Sequence, residues 1–82
     1  MQLTLNAQWI DTSDGNFTEI HVAGYHAAVA LVPASLAPGE APRKVIEAAV
    51  SRGVIDIATR SEFATMADAR EWAEQIIIAE NL

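Results

Sequence analysis

Hydrophobic and polar positions along this chain follow two rhythms. In the N-terminal half they alternate singly. Leu3, Leu5, Ala7 and Trp9 are interleaved with Gln2, Thr4, Asn6 and Gln8, which predicts a half-buried strand over 3–9. Residues 17–23 alternate again, with Thr18, Ile20 and Val22 on one face and Phe17, Glu19 and His21 on the other. The alanine- and valine-rich run 26–32 predicts a third strand. A cluster of turn formers at 11–16 separates the first two strands. Gly24 and Tyr25 suit a two-residue hairpin loop with glycine at its first central position.

The C-terminal half changes period. Pro42 fits the first turn of a helix, and Val45, Ile46, Ala49 and Val50 recur at helical spacing. Arg52 and Gly53 then read as a basic last turn followed by a glycine stop. The short apolar run 54–58 predicts a fourth strand. Residues 65–82 predict a second helix, with Thr65 as its cap and Phe63 folding back onto the first turn. On that helix Met66, Ala69, Trp72, Ala73, Ile76, Ile77 and Ala79 share one arc. Asp68, Glu71, Glu74 and Gln75 share the opposite arc, with Ile78 among them. The order β-β-β-α-β-α predicts an α+β fold: an antiparallel β-meander with two helices packed on one face. No repeat or linker interrupts residues 1–82, so a single domain is expected.

Composition narrows the chemistry. A chain of 82 residues that is 51% hydrophobic can form one core. Chains of this size bury only about 60–65% of their unfolded surface, so pairing with a second copy is one way to gain stability. Absence of cysteine removes disulfides, thiolate metal sites and cysteine nucleophiles, and small secreted domains usually carry disulfides. With neither a leader pattern nor a long apolar run in the sequence, an intracellular, cytoplasmic location is expected. The net charge of −6, from 11 acids and 5 bases, disfavours direct contact with nucleic acid and favours a protein partner with a basic surface.

Catalytic patterns are weak. Ser13, Ser35, Ser51 and Ser61 all fall at expected turns or helix ends, where capping explains them. The glycines Gly15, Gly24, Gly39 and Gly53 are isolated, so no phosphate-cradling loop is formed. The expectation is a protein that is not an enzyme and uses no cofactor. Glu19, His21 and His26 share one face of the expected hairpin and form a three-ligand set for zinc. A Gly24-Tyr25 loop would pair Ala23 with His26 and leave the histidines diagonal, about 7 Å apart. That spacing matches no compact zinc signature, and no metal is expected there.

Two surfaces stand out for binding. Asp68, Glu71, Glu74 and Ile78 form an acidic helix face with an apolar anchor, and Asp11 and Asp14 lie in an acidic turn. Arg70 and Glu74, four residues apart, would partly neutralise each other on that helix. Tyr25 at a hairpin tip would be a second anchor.

The stretch Phe63-Ala-Thr65-Met-Ala-Asp-Ala69-Arg-Glu-Trp72-Ala73, following a meander of short strands, resembles a pattern of small bacterial and phage proteins. In that pattern an aromatic ends a strand, a serine or threonine caps a helix, and the helix carries an Ala-x-x-Trp-Ala core face. Some anti-CRISPR proteins, small acidic phage inhibitors of CRISPR effector complexes, have this look. The resemblance covers about a quarter of the chain and transfers no functional residue. It implies an inhibitor whose acidic surface blocks a basic, nucleic-acid-binding site or binds an effector subunit. The competing expectation is a self-associating structural or regulatory domain, antitoxin-like or accessory. It would pair through the alanine-rich third strand, 27–34, as an open edge.

Overall fold

The computed structural model describes residues 8–34 and 37–82. Among the described residues, five strands precede one helix: β1 (Ile10–Asp11), β2 (Phe17–Val22), β3 (Tyr25–Pro33), β4 (Lys44–Arg52), β5 (Ile55–Phe63) and α1 (Met66–Glu80). The strands form one antiparallel sheet in chain order, β1-β2-β3-β4-β5. The α+β class and the antiparallel meander match expectation, whereas the pair of helices does not. Leu3, Leu5 and Ala7 of the expected first strand lie outside the described residues. β1 is Ile10–Asp11, paired with β2.

The expected helix around Val45 and Val50 is the strand β4. Its apolar residues fit both periods: 45, 46, 49 and 50 suit a helix, while 46, 48 and 50 suit one face of a strand. Three of these residues are β-branched, which favours the pleated backbone. Tertiary context settles the ambiguity, because nine pairs join β4 to β3, from Tyr25↔Arg52 to Pro33↔Lys44. Ala48 and Val50 thereby point into the core. Gly53 does not stop a helix; it takes φ +60° at the first central position of the Gly53-Val54 turn joining β4 to β5. The strand expected over 54–58 is accordingly longer and runs antiparallel to β4.

Helix α1 covers one face of this sheet. Thr65 caps it, its Oγ1 accepting from the Asp68 N–H at 3.0 Å. Ala69, Ala73 and Ile77, spaced by four, are its buried stripe. They meet Ile20, Tyr25, Ala27 and Val50 in one cluster and Val29 and Ala48 in the next. Alanine at 27, 48, 69 and 73 lets helix and sheet backbones approach closely, and Trp9 and Trp72 pack on both clusters from the sides. Phe63 folds onto the start of the helix as expected, its ring 5.5 Å from that of Trp72. No described helix is long and apolar enough to cross a membrane.

The third strand is a second correction. β3 lies in the middle of the sheet, hydrogen-bonded on both sides, so 27–34 is not an open edge for a second copy. The outer strands are β1 and β5. β5 is irregular, with register shifts against β4 and a positive φ of 66° at Glu62, and it carries Asp56, Arg60 and Glu62. Bulges and charges of this kind discourage edge-to-edge pairing.

Candidate functional site

Two clusters of polar side chains lie on different sides of the molecule. The first surrounds the junction between the β1–β2 turn and α1. Within the turn, Thr12 Oγ1 donates to Asp14 Oδ1 at 2.6 Å, and Asp14 Oδ1 also accepts from the Asn16 N–H at 3.0 Å. These bonds, that from Thr12 foremost, hold the Asp14 carboxyl below its ordinary value of 3.8. Gly15, at φ +73°, supplies the left-handed step that closes the turn. Asp11 Oδ1 lies 3.7 Å from Arg70 Nη1 of the helix. One turn further on, Glu74 Oε1 accepts from the Trp9 indole N–H at 3.3 Å. Trp9 and Asp11 are thus fastened alongside α1. Asp11 thereby lies against the helix that carries Asp68, Glu71 and Glu74.

Each expected contact residue can now be placed. Asp11, Asp14, Asp68 and Glu71 are exposed. Glu74 is half-buried and engaged by Trp9, and Arg70 pairs with Asp11 instead of Glu74. Ile78 is also half-buried, so it is no free anchor in the middle of the acidic arc. Tyr25 is a clear correction. It is 4% exposed and part of the core, beneath the Arg52 guanidinium at 5.5 Å from its ring centre. It leaves the set of contact candidates.

Tyr25 is buried because the hairpin turns one residue earlier than its glycine suggested. The loop residues are Ala23 and Gly24, both with positive φ (54° and 83°), which is the type I′ arrangement. The shift adds the pair Val22↔Tyr25 and puts Tyr25 on the helix-covered face. It also sets His21 directly opposite His26.

The second cluster is the result. Glu19, His21 and His26 stand on the sheet face that α1 leaves uncovered. His26 Nε2 lies 3.1 Å from Glu19 Oε2, and His21 Nε2 lies 3.9 Å from Glu19 Oε1. The imidazole centres are 4.4 Å apart, tilted by 30°. All three ligating atoms fall within 4.8 Å of one another. The expected diagonal separation, on which a metal was discounted, is therefore not the geometry adopted. His21, Tyr25 and His26 also border an open depression of about 480 Å³ at the hairpin end.

The chain matches no family model, no curated protein and no solved structure. The functional reading therefore rests on these residues.

Proposed function

We propose that this is a non-enzymatic binding protein whose acidic helix-and-turn face docks on a basic surface of a protein partner. The carrying observation is the Asp11–Arg70 contact at 3.7 Å, which brings the acidic turn against the helix that bears Asp68 and Glu71. This turn and the exposed helix acids together make up the proposed docking surface, consistent with the net charge of −6. Arg70 lies against Asp11, and among the described residues the exposed carboxylates of Asp68 and Glu71 form no ion pair. Such a surface gives specificity and a fast, salt-sensitive association with a basic groove.

Inhibition of the anti-CRISPR kind is the specific form this reading takes. The acidic face would occupy a basic, nucleic-acid-binding site of a bacterial effector complex in place of phosphates. Support comes from the charge, the small size and the resemblance carried by 63–73. The double reversal Asp68→Lys with Glu71→Lys tests it. Both positions are exposed, so the fold should survive while binding to the basic partner is lost. Unchanged affinity would sink the proposal.

A further inference from the structure

We infer that Glu19, His21 and His26 form a binding site for one divalent transition-metal ion, with zinc the expected occupant. The site lies on the uncovered sheet face, apart from the acidic region, so its success or failure is independent of the proposed function.

The ligand set is chemically coherent. Two imidazole nitrogens and a carboxylate oxygen are the donors that zinc takes in three-ligand sites. Calcium and magnesium prefer all-oxygen shells, so the histidines select against them. The backbone fixes the arrangement. His21 and His26 are directly paired across an antiparallel ladder, and Glu19, two residues before His21 on the same face, reaches His26 diagonally. Opposite Glu19 stands Ala28, whose small side chain leaves that approach clear.

Distances fit with small adjustments. Tetrahedral zinc, with bonds near 2.0–2.1 Å, spaces its ligand atoms about 3.3 Å apart. The pair His26 Nε2–Glu19 Oε2 is at 3.1 Å and His21 Nε2–Glu19 Oε1 at 3.9 Å. All three atoms lie within 4.8 Å of one another, so seating a metal asks for only a small inward movement of the side chains. His21 is two-thirds exposed, so that movement is unobstructed by packing. A metal would also explain why two imidazoles converge on a single carboxylate that can pair well with only one of them. Three protein ligands would leave a fourth position open to a water or a small anion, and His21 and His26 also border the depression at the hairpin end.

The test uses the 82-residue chain without an affinity tag. Zinc is titrated calorimetrically against the wild type, His26→Ala, His21→Ala and Glu19→Gln, with magnesium as a control. Circular dichroism checks that each variant is folded. The inference predicts one zinc per chain with micromolar or tighter affinity. It predicts at least a tenfold loss in each variant and no response to magnesium. In parallel, zinc should shift the imidazole NMR signals of both His21 and His26 in the wild type, which needs no variant to fold. Absence of binding, equal affinity in the folded variants, or zinc-induced shifts confined to other residues would overturn the site.

Discussion

Trp9 donates its indole N–H to Glu74, joining two residues 65 positions apart at 3.3 Å. The bond and the ring's packing on both core clusters tie Trp9, just before β1, to the final helix. Trp9→Phe keeps most of the apolar contact and removes the donor. Loss of a bond to a charged acceptor predicts destabilisation of about 1.5 kcal/mol in urea melts. A change below a few tenths would show that the indole bond contributes nothing to attaching this segment.

The β2–β3 turn carries an unusual residue. Ala23 holds φ at 54°, a conformation that asparagine or glycine adopts more readily. Ala23→Asn should therefore raise stability by about 0.5–1 kcal/mol, since Asn-Gly is the preferred type I′ pair. Destabilisation would mean that the turn is not type I′ and that His21 does not face His26.

Thr18 is 1% exposed, and its Oγ1 finds no hydrogen-bond partner among the described residues. A buried hydroxyl without a partner is costly, and valine has nearly the same shape. Thr18→Val should stabilise the fold by about 1 kcal/mol in thermal or chemical melts. A loss of similar size would reveal that the hydroxyl is bonded after all.

The Asp14 carboxylate predicts a specific acid limb. Its folded value lies below the ordinary 3.8, so the charged form is favoured by folding. That stabilisation is complete above the unfolded value and is lost as pH falls through the lower, folded one. Asp14→Asn should therefore weaken the protein near neutrality and flatten its stability profile below about pH 4. An unchanged acid limb would show that the turn bonds from Thr12 and Asn16 have no bearing on folding.

How much of this was readable beforehand depends on the element. The C-terminal helix, its Thr65 cap and its buried arc follow from a single strong period, uncontested by any other pattern. β2 was equally clear, because Thr18 and Ile20 alternate with polar neighbours. β4 was not: its spacing supports both a helix and a strand, and only pairing with β3 and β5 decides between them. The histidine pair was half legible. Sequence parity puts Glu19, His21 and His26 on one face whichever turn forms, but proximity depends on where the chain reverses. The chain reverses at Ala23-Gly24, which also buries Tyr25, a gain in tertiary packing that no local signal around Gly24 announces. The engagement of Arg70 by Asp11 was hidden for the same reason. Helical spacing offered Glu74 as its partner, and the competing acid comes from the other end of the chain.

The most direct test of the binding face is affinity capture from bacterial lysate, at low and high salt, with wild-type protein beside the folded Asp68→Lys/Glu71→Lys variant. The account predicts that wild type retains a basic, nucleic-acid-handling protein at low salt and releases it at high salt, and that the variant fails to retain it. A partner held equally by both proteins, or recovery of nothing but the protein itself, would contradict it.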